Sequence, residues 1–374
     1  MKILVVIDKL SMDGITPSCI AMHLRDSYEL FRRRNCQPEI CNIRGDDPGS
    51  RLLEAAGIQV HKLGLSPLSP LICRRLAGII DNCGSELVHA HGYSAANFGR
   101  LAAAMRKIPA VVHEHAILPV RPHQFLADAL LRGLTTCAVG VSGAVADFLV
   151  RGRCVPRSRV RVVHNGIDLV RFRQVEASMN AARARFDLPP DVPLAGCAAR
   201  FRKEKGQHVL LDALPLLHES IPDCHLVLAG DGPDRQLLEQ RAAELKVAGK
   251  VRFAGFIDDI PLFLRALSVL VIPSLSEGFS FAAAEAMAAG CPVVASRVGG
   301  LPEVVEDGVT GLLVPPGDAP ALAAAAGRVL TDESLREKLT ERAGQDVARF
   351  SLETYVDKMT ALFGELVHSS VDQN

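Results

Sequence analysis

The strongest constraint on this chain is a series of short apolar, β-rich runs, each followed by a longer helical pattern, which starts at residue 3 and restarts near residue 190. The first set is "ILVVI" (3–7), "IQVHKL" (58–63), "LVHA" (87–90), "AVVH" (110–113), "CAVGVS" (137–142) and "VRVV" (160–163). The second is "LAGCAA" (194–199), "HLVLAG" (225–230), "KVRFAG" (250–255), "LSVLVIP" (267–273), "PVVAS" (292–296) and "GLLVP" (311–315). Continuous apolar runs are what strands covered on both faces require. Alternation with helices implies parallel sheets and right-handed crossovers. The proline-rich "FDLPPDVP" (186–193) reads as the entrance to a second domain. The expected fold class is therefore α/β, with two doubly wound Rossmann-like domains facing across a cleft. Residues 1–175 form the first domain and 190–350 the second. The tail 351–374 is an amphipathic helix expected to pack back on the first domain. Ligands of such sheets bind beyond the carboxyl ends of the strands.

Charge and cysteine usage narrow the partners. The net charge of zero gives no bulk attraction to nucleic acid. Residues 1–180 nevertheless carry 23 Lys and Arg against 15 Asp and Glu, and residues 181–374 carry 19 against 27. An excess of eight positive charges in the first half is a solvated face or a surface for an anionic acceptor or membrane. Ten cysteines without a C-x-x-C pair favour buried thiols over disulfides or zinc. "MKILVVIDKL" is a first strand and not a signal peptide, and no run of 18 apolar residues occurs. The expected location is cytoplasmic, with peripheral contact at the inner membrane face. A dinucleotide oxidoreductase is disfavoured, because no G-x-G-x-x-G follows the first strand.

The stretch "SEGFSFAAAEAMAAGCPVVAS" (276–296) carries the first chemical signal. Gly278 allows a tight turn after Glu277, Ser280 is the expected N-cap, and 281–289 is the expected helix, ended by Gly290. The N–H groups near Phe279, Ser280 and Phe281 then form an anion site suited to a diphosphate. Glu277 sits at the helix mouth and Glu285 about one and a half turns in. One long ligand crossing the helix start touches both. The bland alternative is a carboxylate on the helix dipole and a surface glutamate. The second signal is "AARFRKEKG" (198–206), after a strand and before a helix. Arg200 can fork onto phosphate oxygens and Lys205 supplies a point charge, unless both belong to a solvated basic turn.

These two stretches, followed in order by "AGDGPD" (229–234), "FAGFIDDIP" (253–261), "VGGLPEVVEDGVTGLLVPPGD" (298–318) and "RFSLETYV" (349–356), resemble the family-4 retaining glycosyltransferases of the GT-B fold. In the first half "VHAHG" (88–92), "AVVHEH" (110–115), "VGVS" (139–142) and "VVHNGID" (162–168) resemble the same family. The resemblance runs from the first strand to the last helix and implies the following roles. Arg200 and Lys205 bind the donor diphosphate, Glu277 contacts the transferred sugar, and Glu285 binds the ribose. The amides of Gly278, Phe279, Ser280 and Phe281 complete that site. Gly230 and Asp231, with Phe256 and Ile257, lie near the base. Gly14 marks the loop that approaches the donor phosphate or the acceptor. His115 sits against the sugar, with His113 as the fallback, while His89 and His91 are structural or acceptor-side.

The expected catalytic set is thus Glu277, His115, Arg200 and Lys205. No metal and no other cofactor is implied, because no D-x-D motif closes a strand and the two cations can neutralise a leaving diphosphate. The donor is a UDP-sugar or a GDP-sugar, and the acceptor a saccharide or lipid-linked. Three positions depart from the family pattern: Ala199 stands for the usual glycine, "MDGITPS" (12–18) keeps only Gly14 of a glycine pair, and His164 precedes "NGID" in place of proline. Two other readings stay open, a nucleotide-sugar 2-epimerase and a non-catalytic donor-binding partner subunit.

Overall fold

The structure is a computed structural model that describes residues 1–11, 14 and 16–371. The chain divides into two compact units, Met1–Gly166 together with the helix that begins at Leu352, and Ile167–Ser351.

The first unit is built on a seven-stranded sheet. Its strands are β1 (Lys2–Ile7), β2 (Gln37–Asn42), β3 (Val60–Lys62), β4 (Leu87–His91), β5 (Ala110–Glu114), β6 (Cys137–Gly140) and β7 (Val160–Val162). They run in the order β3-β2-β1-β4-β5-β6-β7 and pair parallel. Strand β1 is buried from Ile3 to Ile7, as a run with helices on both faces should be. The helix Leu352–Val371 belongs to this unit. It lays Tyr355, Val356, Met359 and Phe363 into the core, where Phe363 stacks on Phe31 at 6.3 Å.

The second unit repeats the plan with six strands: β8 (Leu194–Ala198), β9 (His225–Ala229), β10 (Val251–Gly255), β11 (Val269–Ile272), β12 (Val293–Ser296) and β13 (Leu312–Val314). Their order is β10-β9-β8-β11-β12-β13, again parallel. Relabelled from its own first strand this is 3-2-1-4-5-6, the doubly wound order. The order in which strands are added reverses between β8 and β11, and ligands of such sheets bind at the carboxyl ends there. In the first unit the same reversal lies between β1 and β4.

All ten cysteines are free. Burial pushes the thiols of Cys41, Cys197 and Cys291 up to about 12, so they pack as small apolar groups. Cys19 is exposed and Cys73, Cys83 and Cys154 are half-buried, which corrects the expectation of uniformly buried thiols. Among the described residues no helix is long and apolar enough to cross a membrane.

Candidate active site

In the second unit the loops after β8 and β11 flank the reversal point, and the backbone locks them together. Ala199 N–H donates to the Ala229 carbonyl at 3.0 Å and Phe201 N–H to the Asp231 carbonyl at 2.9 Å, so the first loop is tied to the end of β9. The Phe201 ring is fully buried against Phe253 at 6.1 Å. A 3₁₀ turn, Lys203–Lys205, then leads through Gly206 into the helix Gln207–Ser220. Gly206 has φ +68°, and a Cβ there would run into the carbonyl oxygen of Pro273. The other loop is held in turn by Leu275 N–H on the Glu204 carbonyl at 2.8 Å.

This packing sets two side chains 72 residues apart against each other. Lys205 Nζ donates to Glu277 Oε1 at 2.6 Å, and Ser274 Oγ donates to the same oxygen at 3.1 Å. The Glu277 side chain is 10% exposed and that of Lys205 28%, so the pair sits at the boundary between protein and solvent. The short distance is that of a charge-assisted bond. An ammonium has three N–H donors, and Glu277 takes one. Arg200, in the same loop, is half-buried, and its carbonyl accepts from Gln207 Nε2 at 3.0 Å.

Beyond Glu277 the chain bends at a buried Gly278. Phe279 and Ser280 are buried, with the Phe279 ring edge-on to Phe281 at 5.6 Å. The helix runs Phe281–Ala288, and Ser280 Oγ accepts from Ala283 N–H at 3.3 Å, which makes Ser280 its N-cap. Glu285 is half-buried on the second turn. Gly230 (φ +130°) bridges to Gly255, which draws together the loops after β9 and β10. Asp231 is exposed and accepts from the Gly232 N–H at 2.7 Å; Phe256 is exposed and Ile257 half-buried. Every candidate residue of this unit therefore lies beyond the carboxyl ends of β8 to β11.

Three features that hold Glu277 escaped the sequence: Ser274 on its carboxylate, Gly300 N–H on its carbonyl at 3.2 Å, and the Glu204 carbonyl beneath the loop. Gly300 stands within "VGGLPE", whose order was visible although its contact was not.

In the first unit His115 follows β5 and is half-buried. Its Nε2 lies 2.8 Å from His91 Nδ1. His91 Nε2 lies 3.4 Å from His89 Nδ1, and His89 Nε2 lies 3.0 Å from His113 Nδ1. Burial, reinforced by the neighbouring imidazoles, pushes the pKa of His89 and His115 down to about 3 and those of His91 and His113 well below the usual value. His89, His91 and His113 thus form one buried group. Their nitrogens lie within 4.8 Å of one another, near enough to hold a metal ion. The same nitrogens make the contacts between the rings. Glu39, His61 and Cys83 form a second, half-buried group of that spacing. Beside the histidines, Arg100 pairs with Asp128 at 2.9 Å, and Arg153 spans Asp128 at 3.1 Å and Glu114 at 3.4 Å. Gly14 is exposed with φ +81°, while Met12, Asp13 and Ile15 of its loop lie outside the described residues.

Two sheets of this order within one chain are the architecture of the GT-B glycosyltransferases, and that is the class of this protein. The glycosyl transferases group 1 model matches residues 178–346, and the glycosyltransferase family 4 model matches residues 20–171. Over 353 residues the chain is 31% identical to a D-inositol 3-phosphate glycosyltransferase of Saccharomonospora viridis, covering 83% of this chain and 80% of that protein. Over 202 residues it is 37% identical to the lipopolysaccharide core biosynthesis glycosyltransferase LpsE of Rhizobium meliloti, covering 54% of this chain and 56% of that one. The crystal structure of Anabaena HepE in complex with UDP and glucose is similar with a TM-score of 0.83 at 25% identity, covering 98% of this chain and all of that one. The chain belongs to glycosyltransferase family 4.

Proposed function

We propose that this enzyme transfers a hexose from a UDP-sugar or GDP-sugar to a saccharide or lipid-linked acceptor, with retention and without a metal ion. The observation that carries the proposal is the Lys205–Glu277 contact of 2.6 Å. It sets a cation suited to a leaving diphosphate beside a carboxylate suited to sugar hydroxyls. Lys205, Arg200 and the N–H groups of Phe279, Ser280 and Phe281 hold the diphosphate and take up the charge that develops on it. Glu277 accepts from the hydroxyls of the transferred sugar, Glu285 from the ribose, and His115 contacts the sugar. Gly230, Asp231, Phe256 and Ile257 border the base, and Gly14 the phosphate or the acceptor. HepE, bound to UDP and glucose, supports a UDP-sugar donor. The names of the curated relatives support a phosphorylated polyol or a lipopolysaccharide core as the kind of acceptor. The basic excess of residues 1–180 suits an acceptor at a membrane surface.

The test has two arms. Glu277→Gln lowers transfer by roughly 100-fold or more while nucleotide binding remains measurable; unchanged turnover removes Glu277 from the site. Thermal unfolding with UDP, GDP or ADP, each in EDTA, then reads the donor class. One nucleotide at 100 times its dissociation constant adds about 2.7 kcal/mol. A rise only after Mg²⁺ is added refutes metal-free binding.

A further inference from the structure

The four histidines at the ends of β4 and β5 are linked head to tail. Each contact joins the Nδ1 of one ring to the Nε2 of the next, in the sequence His113, His89, His91, His115. This regularity allows the protons to be counted. A neutral imidazole carries one proton, and a hydrogen bond between two rings contains one. Four neutral rings have four protons and three links. If one ring carried its proton on the other nitrogen, some link would hold two protons or none. Only two arrangements therefore satisfy every link, with all protons on Nδ1 or all on Nε2.

The ends of the chain choose between them. His113 Nε2 is buried and has no partner among the described residues. His115, at the other end, is half-buried, and its Nδ1 makes no hydrogen bond within the described chain. Either arrangement leaves His113 Nε2 without a partner, as an N–H or as a lone pair, but an orphaned buried N–H is the rarer of the two, and at His115 Nδ1 water or a ligand can accept the fourth proton. We infer that His91, backed by His89 and His113, is a positioning residue that holds His115 in its Nδ1–H tautomer, so that His115 offers a fixed hydrogen-bond donor to an oxygen of its ligand. The low pKa values of all four rings agree with a neutral chain. The ligand group facing His115 is then an acceptor, a sugar hydroxyl or ring oxygen, and not a cation. That last step rests on the proposed role of His115 at the sugar; the tautomer itself does not.

Long-range ¹H–¹⁵N spectra of histidine-labelled protein, free of substrate, distinguish Nδ1–H, Nε2–H and imidazolium. Loss of one signal in His115→Gln assigns the residue. At pH 7.5 the wild type is expected to show His115 as neutral Nδ1–H. His91→Phe removes the donor to His115 Nε2 and moves His115 towards Nε2–H. His91→Asn keeps an amide N–H at the position of Nδ1 and restores the wild-type pattern. An Nε2–H or charged His115 in the wild type overturns the inference, as does a His91→Phe spectrum identical to it, or a stoichiometric metal in the purified protein. Should His91→Phe not fold, the wild-type spectrum and His91→Asn decide alone. If His115→Gln leaves transfer at the wild-type rate, the sugar contact falls while the tautomer stands.

Discussion

Buried neutral histidines make the first unit sensitive to acid. His23 is pushed down to about 4 by burial, and His89 and His115 to about 3; His91 and His113 move the same way. In the unfolded chain all five take up protons near pH 6.5. Below that pH the unfolded state binds more protons than the folded one. The contribution of these rings is therefore complete above pH 6.5 and is lost as pH falls towards their folded values. Two buried carboxyls act in the opposite sense. Asp8, which accepts from Ser94 and Ala95 N–H, and Glu114, beside Arg153, have pKa values raised by burial, so they keep protons that the unfolded chain releases. Five protons are gained on unfolding, and the two carboxyls release some in return. At 1.36 kcal/mol per proton and pH unit, five rings that cross an unfolded pKa near 6.5 lose about 7 kcal/mol between pH 7.5 and 5.5, and the two carboxyls return part of it; the loss is a large share of a usual stability of about 5–15 kcal/mol. Urea titrations at the two pH values, followed by hydrogen exchange of peptides from β4 and β5, measure this loss. A stability that changes by less than about 1 kcal/mol refutes the neutral cluster.

Two further outcomes follow from the packing. Asp128→Ala strands the buried guanidinium of Arg100 and weakens the hold on Arg153, and it should cost about 3–5 kcal/mol in urea unfolding. The double variant with Arg100→Met should recover part of that loss, and equal losses in both would show that the ion pair is not the cause. Gly206→Ala forces a Cβ into the left-handed region and against the Pro273 carbonyl, at about 1–2 kcal/mol for the backbone alone. Because it pushes the Lys205 loop from the Glu277 loop, UDP affinity should fall roughly tenfold by titration calorimetry; wild-type affinity would separate the two loops functionally.

Strands buried on both faces were legible because nothing polar interrupts them: β11 and β12 lie within the apolar runs "LSVLVIP" and "PVVAS", while the edge strand β10, only half-buried and carrying the exposed Arg252, was still marked by "KVRFAG". Strand β2 was not. Its residues "QPEICN" begin with Gln37, Pro38 and Glu39, outside the fully buried part of the strand, and only Ile40–Asn42 are buried. Asn42 is tolerated there because its amide donates to Ser50 Oγ at 2.9 Å, a contact made by the following helix. The Arg100–Asp128–Arg153 network was equally hidden, since it joins two helices and the residue that ends a third, which no periodicity relates.

The candidate site divides in the same way. Residue types and spacing pointed to Lys205 and Glu277 as separate signals, each with a bland alternative. What turns them into one site is the neighbourhood of β8 and β11, which the strand order β10-β9-β8-β11 creates and local sequence does not state. The histidines carry the same lesson with more of it visible. "HAH" and "HEH" each place two rings on one face of an extended segment, because side chains alternate with period two. Taken singly, those rings read as structural. Pairing of β4 with β5 sets His89 opposite Val111 and His91 opposite His113. That register brings two short repeats of alternate histidines edge to edge. Four unremarkable side chains then become a chain with a direction, and its two unlike ends, one sealed in the core and one open, determine where the proton rests.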